Sequence, residues 1–411
     1  MGISRRGVTA GLAALAASGC MGGGGPVDTP AARTAFRPVQ NPGFDAWVAA
    51  FRTRALARGI QPATLDAGLR GVGFLPDVVD RDRNQTEFKR TLEDYLAIVA
   101  NDARVATGRA MLVRHGPLLA EIEARFGVEA HVVAAVWGVE SRFGERRGDV
   151  PVISALATLA YDGRRGAFFE QQLIAALRIL QRGDVTPARM LGSWAGAMGH
   201  TQFIPTSYEA FAVDFRGDGR RDIWSDDPTD ALASAAAYLN RSGWRRGQPW
   251  GVEVRLPAGF NAGLAGRGTS KSVLEWRGLG VQAAFGALPE AGAASVLIPA
   301  GAGGPAFLIF RNFTVLTRYN NAVNYVIGVG HLSDRLRGGP PIQGRFPPDA
   351  AGMTIADRKL LQRRLTAAGF DAGDADGVIG SKTREAISAY QQSVGLPVTG
   401  EPSLELLRRL G

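Results

Sequence analysis

The chain has 411 residues, of which 45% are hydrophobic and 21% charged, as is usual for a soluble globular protein of about two or three domains. Beyond the N-terminus it has no run of about eighteen apolar residues, which excludes a polytopic membrane protein. The formal net charge of +9 suits a polyanionic partner, either an acidic cell-wall polymer or an anionic membrane surface. Nucleic acid is not the expected partner, because the arginines are scattered and no nucleic-acid motif is present.

The first twenty residues, MGISRRGVTAGLAALAASGC, have the layout of an export signal. Arg5 and Arg6 precede an apolar stretch from Val8 to Ala17, and small residues follow it. The segment ASGC resembles a bacterial lipobox, which implies that Cys20 is lipidated and becomes the mature N-terminus. Ala17 stands where that pattern prefers leucine, and SRRGV also resembles a twin-arginine signal, so two export routes stay open.

Cys20 is the single cysteine of the sequence, so we expect no disulfide. A buried free cysteine is the alternative to lipidation, but the surrounding CMGGGG is too rich in glycine to pack well. The residue directly after the cysteine is Met21 and not Asp, which favours the outer membrane as the place of anchoring. We therefore expect a periplasmic monomer that is anchored to the outer membrane by its lipid.

The composition changes several times along the chain. Gly, Pro and Ala predominate after Cys20, as in a flexible tether. From about Phe44 to Leu239, apolar residues at spacings of three and four predict helices. Between about Trp250 and Leu316, short β-branched or aromatic runs predict a small sheet, and NAVNYVIGVGHLSDRL then predicts a helix. The predicted segments are a signal peptide at 1–20, a tether at 21–43, a main domain at 44–337, a Pro/Gly linker at 338–352 and a C-terminal module at 353–411.

The C-terminal module has the apolar pattern of three short helices. The positions that define them are Leu360, Leu361 and Leu365, then Ala386, Ile387, Tyr390 and Val394, then Leu404, Leu407 and Leu410. The stretches LLQRRLTAAGF and DGVIGSKTREAISAYQQSVGLPVTG, in this order, resemble a peptidoglycan-binding domain of the first type. The resemblance implies binding to cell-wall glycan or stem peptide without chemistry of its own, and a generic three-helix bundle is the alternative.

The stretch AAVWGVESRFGER, residues 134 to 146, places a glutamate on an apolar helical face. Glu140 follows Val136 by four residues and Trp137 by three, so its carboxylate should lie on the buried side. Burying a carboxylate is costly, and desolvation should favour its protonated form, which can act as a general acid. The alternative is a structural salt bridge or helix cap, for which Arg142 and Arg146 are near enough.

Three stretches of the main domain are similar to one family: VVAAVWGVESRFGERRGDVPVISALATLAYDGRR, SWAGAMGHTQFIPTSY and LTRYNNAVNYVIGVGHL. Together they resemble the membrane-bound lytic murein transglycosylases of the B type. The resemblance implies a mainly α (α+β) fold, in which a lysozyme-like helical catalytic domain at 44–337 carries a small β-rich subdomain and is followed by the three-helix module. It also implies that Glu140 is the single catalytic residue.

The family's reaction breaks the β-1,4 bond between N-acetylmuramic acid and N-acetylglucosamine in peptidoglycan. The resemblance implies that Glu140 protonates the glycosidic oxygen and then removes the proton of the C6 hydroxyl, which closes on C1 to form a 1,6-anhydromuramyl end. One carboxyl suffices because the nucleophile is intramolecular, whereas ordinary glycosidases use two.

Two alternatives to this reaction stay open. A water-using muramidase would need a second carboxylate. Glu145 and Asp149 follow shortly downstream, but they lie beside arginines past a glycine, which predicts a solvated loop. The other alternative is a non-catalytic wall-binding scaffold lipoprotein, although a pure binder has no need of a desolvated acid.

Further residues carry over from the family to a glycan cleft near the acid. Ser193 and Gln202 match polar positions that orient the muramyl N-acetyl group and sugar hydroxyls. An aromatic ring offers a flat apolar face to a sugar, and four tyrosines resemble those that line the family's cleft: Tyr95, Tyr238, Tyr319 and Tyr325. The alternatives are turn or capping roles for the polar pair and core positions for the tyrosines. His200 lies within GAMGHTQF, and we assign it no role.

The segment DFRGDGRRDIWSD, residues 214 to 226, is similar to a degenerate EF-hand calcium loop. Loop positions 1, 5, 6 and 9 hold the residues that the pattern requires: Asp214, Asp218, Gly219 and Asp222. Arg216 and Ser225 stand at positions 3 and 12, where oxygen ligands belong. We expect an ordered turn without calcium, in which Arg216 places its charge among the carboxylates; calcium binding is the alternative. The four histidines show no metal-ligand spacing, so we expect no cofactor.

Overall fold

The computed structural model describes residues 36–84 and 90–411, so the predicted lipidation site Cys20 lies outside the described residues. Seventeen α-helices form over this part of the chain. They are α1 Pro42–Ala57, α2 Pro62–Gly68, α3 Pro76–Arg83, α4 Leu92–Val99, α5 Asp102–Arg114, α6 Gly116–Phe126, α7 Ala130–Ser141, α8 Val152–Asp162, α9 Gly166–Arg182, α10 Pro205–Phe211, α11 Thr229–Arg241, α12 Val273–Gly278, α13 Arg311–Tyr319, α14 Val323–Leu336, α15 Ile355–Ala367, α16 Ser381–Ser393 and α17 Leu404–Arg409. The strands are β1 Val150–Pro151, β2 Leu191–Gly192, β3 Gly251–Arg255, β4 Lys271–Ser272, β5 Gln282–Ala283, β6 Ala293–Leu297 and β7 Ala306–Ile309.

The chain forms two compact units, each assembled from several segments. The first contains the described residues up to 84, Gly108–Arg246 and Arg318–Asn320; the second contains residues 90–107, Gly247–Thr317 and Asn321–Gly411. None of the described helices has both the length and the hydropathy that crossing a bilayer requires.

Proline and glycine explain many of the helix ends. Four helices begin at a proline, where the missing N–H would have no intrahelical partner in any case: Pro42, Pro62, Pro76 and Pro205. Gly127, Gly163 and Gly183 end α6, α8 and α9 in the left-handed conformation that glycine adopts without strain. Local sequence therefore sets the lengths of the helices that pack into the first unit.

In the first unit, α7 is buried along nearly its whole length, from Val132 to Ser141. It packs against α6 and α11, while α8 packs against α9 and α3. A short antiparallel sheet pairs β1 with β2, with Val150 opposite Gly192. The predicted helical region is confirmed, and β2 leads directly into the loop that carries Ser193.

The second unit contains a five-stranded antiparallel sheet in the order β4-β6-β7-β3-β5. Val296 and Leu308 are fully buried in its core together with Trp276 of α12, whose indole N–H donates to the Ala294 carbonyl at 2.8 Å. The predicted small sheet is confirmed. Its predicted extent to Leu316 is wrong, because the last strand ends at Ile309 and α13 follows.

The C-terminal module is the predicted unit of three helices. α15, α16 and α17 enclose Leu361, Leu365 and Ile387, each of which is 0% exposed. α15 begins at a capping box, in which the side chains of Thr354 and Asp357 each accept the backbone N–H of the other residue.

Candidate active site

Glu140 is the second-last residue of α7 and is 5% exposed, so its predicted burial is confirmed. Ser141 is the last residue of the helix, and three residues with positive φ follow it: Arg142 (53°), Phe143 (58°) and Gly144 (90°). Two of these are not glycine, and non-glycine residues adopt such a backbone only where the surrounding structure enforces it. The last position requires glycine, since a Cβ on Gly144 would lie 2.5 Å from the ring of His200.

His200 makes contacts with two residues of the last turn of α7. The Trp137 indole N–H donates to Nδ1 of His200 at 3.1 Å. The Ser141 hydroxyl donates to the backbone carbonyl of His200 at 2.6 Å and accepts the Gly144 N–H at 2.9 Å. His200 is 3% exposed, and its side chain therefore belongs to the packing around the helix end that carries Glu140.

The other ring nitrogen of His200 faces the loop after Gly219. Nε2 lies 2.7 Å from the Ser225 carbonyl, to which it donates in the neutral tautomer that leaves Nδ1 free to accept. Arg147 bonds to the same carbonyl at 2.6 Å and to Asp226 at 2.6 Å. Burial lowers the pKa of His200, and the charge of Arg147 lowers it further, while Asp226 and the Ser225 carbonyl oppose this. The neutral ring is thus favoured at neutral pH.

Gln202 and Ser193 lie in the loops on either side of Met198 and are 6% and 2% exposed. Gln202 has φ 51°, and its amide nitrogen donates to the Arg147 carbonyl at 3.0 Å and to the Gly199 carbonyl at 2.8 Å. The Ser193 hydroxyl accepts the Ala197 N–H at 3.0 Å, a turn-forming contact. The amide oxygen of Gln202 and the hydroxyl proton of Ser193 are the atoms that these hydrogen bonds leave for other partners.

Tyr238 and Tyr319 pack together in the first unit, with ring centroids 4.8 Å apart, and both contact Phe203. The Tyr319 hydroxyl donates to the Thr201 carbonyl at 2.6 Å, and the Tyr238 hydroxyl donates to the Arg318 carbonyl. Burial raises the pKa of Tyr238 to about 12. Burial also raises the pKa of Tyr319 well above its usual value, and the charge of Glu140 adds to this effect. Tyr319 therefore lies within the electrostatic reach of the acid, and Tyr238 packs against Tyr319.

Tyr95 and Tyr325 lie in the second unit, on α4 and α14, which pack against each other. The contact is close, since a Cβ on Gly328 would lie 2.6 Å from the Tyr95 ring. Tyr325 is 1% exposed and contributes to the core of that unit, so little of its ring is open to a ligand. Of the six predicted binding residues, the first unit contains Ser193, Gln202, Tyr238 and Tyr319.

The acidic residues downstream of Glu140 lie at the surface, since Glu145 and Asp149 are both exposed. Sequence reasoning gave His200 no role and overlooked Arg147 as part of the site. The motif GAMGHTQF marked the segment of His200, but only the folded chain shows that its ring meets Trp137, 63 residues away.

The loop at 214–226 is ordered by its own backbone. Asp214 accepts the N–H groups of Gly217, Asp218 and Gly219 at 2.6–3.1 Å. Desolvation opposes ionisation of Asp214, but these three hydrogen bonds outweigh it and lower the pKa of the carboxyl. Asp222 likewise accepts the N–H groups of two following residues. Among the described residues, no group of three His, Cys, Asp or Glu side chains could hold a metal ion.

The expected position of Arg216 among the loop carboxylates is wrong. Its guanidinium lies over the Phe215 ring and bonds to Glu121 of α6 at 2.5 Å. The physical reason is that the backbone N–H groups already occupy the oxygens of Asp214, whereas Glu121 is an exposed carboxylate within reach.

Comparison with known proteins places this geometry in a family. Residues 43–334 match the transglycosylase SLT domain, and residues 354–410 match a peptidoglycan binding domain. Membrane-bound lytic murein transglycosylase B of Escherichia coli K12 is 34% identical over 213 residues, which are 50% of this chain and 56% of that protein. The chain thus spans about half the length of this curated relative.

Two solved structures extend the likeness. SltB3 from Pseudomonas aeruginosa, in complex with NAG-NAM-pentapeptide, is 50% identical with a TM-score of 0.73 over 90% of this chain and 100% of that chain. Escherichia coli Slt35, in complex with calcium, is 28% identical with a TM-score of 0.61 over 72% of this chain and 93% of that chain. These likenesses confirm the predicted lysozyme-like fold with its small sheet and helical C-terminal module. The chain belongs to the transglycosylase SLT domain family of lytic transglycosylases and carries a peptidoglycan binding domain at its C-terminus.

Proposed function

We propose that this protein is a lytic transglycosylase that cleaves the β-1,4 bond between N-acetylmuramic acid and N-acetylglucosamine in peptidoglycan. The observation that carries the proposal is Glu140, a buried carboxyl at the end of α7 within the matched transglycosylase domain. A second crystal structure of the relative SltB3 is a complex with NAG-anhNAM-pentapeptide, whose anhydro sugar supports the same chemistry here.

In this proposal Glu140 acts first as the acid and then as the base. Burial and the negative end of the α7 dipole both favour the neutral carboxyl, which donates its proton to the glycosidic oxygen as the bond to C1 breaks. The C6 hydroxyl of the same muramyl sugar attacks C1, and the Glu140 carboxylate takes the hydroxyl proton. The carboxyl is then protonated again, and no water is consumed.

The polar and aromatic residues around Glu140 are proposed to hold the glycan. The amide oxygen of Gln202 can accept from a sugar hydroxyl or N-acetyl N–H, and the Ser193 hydroxyl can donate to a carbonyl. Tyr319, whose pKa responds to the charge of Glu140, and Tyr238, which packs against Tyr319, offer aromatic edges to a sugar. Tyr95 and Tyr325 stay predicted binding residues on the resemblance alone. Replacing Gln202 by alanine should raise KM on a defined glycan fragment more than it lowers kcat.

The test of the function is digestion of purified sacculi by the chain without residues 1–20, followed by mass spectrometry of the products. We expect muropeptides that are lighter by one water than muramidase products. Glu140→Gln should lower the rate by about 10³-fold or more, because it removes both proton-transfer steps, while sacculus binding persists. Glu145→Gln, which changes an exposed carboxylate, is the matched control and should retain full activity.

Two other outcomes would overturn this function. Fragments with ordinary reducing ends would mean that water attacks C1 and that the protein is a muramidase with a second carboxylate. Absence of any fragments, with sacculus binding unchanged by Glu140→Gln, would identify a wall-binding scaffold.

We also propose that the mature protein is a monomer in the periplasm, held on the outer membrane by a lipid on Cys20. The lipobox-like ASGC and the membrane-bound relative from Escherichia coli support this anchor. Metabolic labelling with a fatty-acid analogue should label the wild type and spare Cys20→Ser. An unlabelled wild type would rule out the lipid anchor.

The loop at 214–226 is proposed to stay ordered without calcium, because its own N–H groups bind Asp214 and Asp222. The relative Slt35 was solved with calcium, which makes this a direct question for the present chain. We expect the melting temperature to differ by less than about 1 °C between excess calcium and a chelator, since only a ligand of the native state stabilises it. A clear stabilisation by calcium would contradict the proposal.

A further inference from the structure

We infer that His200 is a positioning residue for the proposed reaction, in that it fixes the helix end that carries Glu140. This inference rests on the proposed function and deepens it, because it names the residue on which the placement of the acid depends. The contacts that carry it are the two attachments of His200 to α7, one through the ring and one through the backbone carbonyl.

The two attachments flank the acid along the helix. Trp137 precedes Glu140 by three residues, which places both side chains on one face of α7. Ser141 follows Glu140 directly. An indole N–H can only donate, so the contact at 3.1 Å requires an unprotonated Nδ1 on His200. The Ser141 hydroxyl donates to the His200 carbonyl at 2.6 Å, which attaches the last residue of α7 to the backbone at His200.

The Nε2 side of the His200 ring also makes hydrogen-bond contacts. His200 Nε2 lies 2.7 Å from the Ser225 carbonyl and 3.2 Å from a guanidinium nitrogen of Arg147. Because the Trp137 indole requires Nδ1 to accept, the neutral ring carries its proton on Nε2 and donates it to the carbonyl. Arg147 bonds to the same carbonyl and to Asp226, which fixes the loop against which the ring rests. The His200 ring therefore connects the Trp137 indole of α7 to the Ser225 loop through one hydrogen bond on each side.

To keep the hydrogen bond from the Trp137 indole, the side chain at position 200 must present an acceptor where Nδ1 of His200 lies. The side-chain oxygen of asparagine reaches that position, whereas phenylalanine fills the volume without any acceptor. Losing the link should let the end of α7 shift, and a displacement of about 1 Å at a catalytic group can cost about 100-fold in rate. Substrate binding, which depends on other side chains, should change far less.

The experiment measures kcat and KM of the protein without residues 1–20 on a soluble peptidoglycan tetrasaccharide. His200→Phe is expected to lower kcat by about 100-fold with KM within about threefold of wild type, and His200→Asn to recover at least tenfold of that loss. Trp137→Phe, which removes the donor of the same hydrogen bond, should lower kcat similarly, and the double variant should lose little more than either single one.

His115→Phe is the matched control. The His115 ring also meets Trp137 edge-on, with centroids 5.4 Å apart against 5.7 Å for His200, and phenylalanine preserves an aromatic contact there. We expect its kcat to equal that of the wild type.

The outcomes separate this inference from the function on which it rests. A wild type that yields no anhydro product would refute the proposed function. An active wild type whose folded His200→Phe variant keeps kcat within about threefold would overturn the positioning role alone. Should His200→Phe not fold, Trp137→Phe decides, because unchanged kcat in that variant would equally overturn the inference.

Discussion

Gly148 and Gly192 bring two backbone segments into direct contact beside Ser193. A Cβ on Gly148 would lie 2.2 Å from the carbonyl carbon and oxygen of Gly192 and 2.6 Å from the Ser193 nitrogen. Gly148 also has φ +88°, a conformation that L side chains rarely adopt. Gly148 lies two residues before β1, and Gly192 is the last residue of β2 and directly precedes Ser193. The placement of Ser193 therefore depends on the absence of a side chain at Gly148.

Gly148→Ala should therefore lower the free energy of unfolding by about 3 kcal/mol, since overpacking and a left-handed backbone each cost about 1–3 kcal/mol. Gly59→Ala is the matched control, because Gly59 has φ +82° but no atom within 4 Å of the added Cβ. That variant should lose only the conformational part, about 1 kcal/mol. Urea unfolding measures the free energy of unfolding of both variants. Equal decreases would show that the contact of Gly148 with Gly192 and Ser193 does not contribute.

Single residues also show where sequence reasoning succeeds. The burial of Glu140 follows from its spacing to Val136 and Trp137, because helical periodicity is a local property. In the structure, α7 is buried on all sides, from Val132 to Ser141. The local pattern of the sequence could not predict this, because it does not show how many other helices surround α7. The contact between Trp137 and His200 joins residues 63 positions apart, and no local rule relates two such positions.

Among the elements, α15 of the C-terminal module is bound to α4 through one buried arginine. Arg358 is 3% exposed, and it donates to Asp94 and to Asp349 at 2.6 Å each and to the Gly377 carbonyl at 2.8 Å. Burial raises the pKa of the neighbouring Glu93, while the charge of Arg358 opposes this rise. The arginine thus neutralises a group of carboxylates that is largely withdrawn from water.

Arg358→Met should lower the free energy of unfolding of the second unit by about 3–5 kcal/mol at pH 7, because it leaves these carboxylates without their counter-charge. Arg409→Met is the matched control: its partner Glu405 is 3.2 Å away, and the two side chains are 50% and 68% exposed. An exposed pair of this kind contributes less than about 1 kcal/mol. Urea unfolding followed by hydrogen exchange in α15 distinguishes the two variants. A loss of under about 1 kcal/mol for Arg358→Met would show that α15 does not depend on this ion cluster.

Helix α14 contains a histidine that resists protonation. Burial, together with the charge of Arg335, lowers the pKa of His331 to about 4, against 6.5 for the free side chain. The unfolded chain therefore binds a proton near pH 6.5, while the folded chain does not. The stability that this difference supplies is complete above pH 6.5 and is lost as the pH falls towards 4.

The loss amounts to about 3 kcal/mol at pH 4, because one pKa unit corresponds to about 1.4 kcal/mol. Glutamine at position 331 cannot titrate. The free energy of unfolding of the wild type relative to His331→Gln should therefore fall by about that amount between pH 7 and pH 4. Urea unfolding at both pH values gives the comparison. A difference between the two proteins that does not change with pH would show that His331 titrates normally in the folded chain.

The elements that sequence predicted best are those with long, uniform patterns. The runs GVEVRL and AFLIF contain β3 and β7, but β4 and β5 have two residues each and carry too few positions for a pattern. The segment RNFTVLTRY, which forms α13, lies largely within the predicted sheet region and is rich in β-branched and aromatic residues. Burial of Phe313 and Leu316, three residues apart, favours the helix there over intrinsic propensity.

At the scale of the whole molecule, neither compact unit is a continuous stretch of sequence. The first unit takes Arg318–Asn320 from the middle of the segments that form the second. The linker is also less free than its Pro/Gly composition indicates, since the N–H groups of Gln343 and Gly344 donate to the Glu253 carboxylate at 2.6–3.1 Å. Composition indicates how flexible an isolated segment is, whereas these contacts depend on the position of Glu253 in β3.

Charge is the property of the whole chain that composition does settle. Residues 1–20 contain two charged side chains, Arg5 and Arg6, so the formal net charge of +9 for the full sequence becomes +7 without them. In the proposed wall binding this charge should attract the protein to the carboxylates of peptidoglycan stem peptides. Salt screens such an attraction, because the Debye length falls from about 10 Å at 0.1 M to about 3 Å at 1 M. We expect the Kd for purified sacculi to rise about tenfold between 0.05 and 0.5 M NaCl.

A co-sedimentation assay with the chain lacking residues 1–20 measures this Kd, and sacculi whose carboxylates have been amidated are the control. Amidation removes the anionic partner but leaves the glycan in place, so binding to the amidated wall should be weaker at low salt and nearly independent of salt. Equal salt dependence on both walls would mean that screening acts within the protein and that the positive charge has another role. A Kd that is constant on native sacculi would assign recognition to the neutral contacts of the cleft and the C-terminal module.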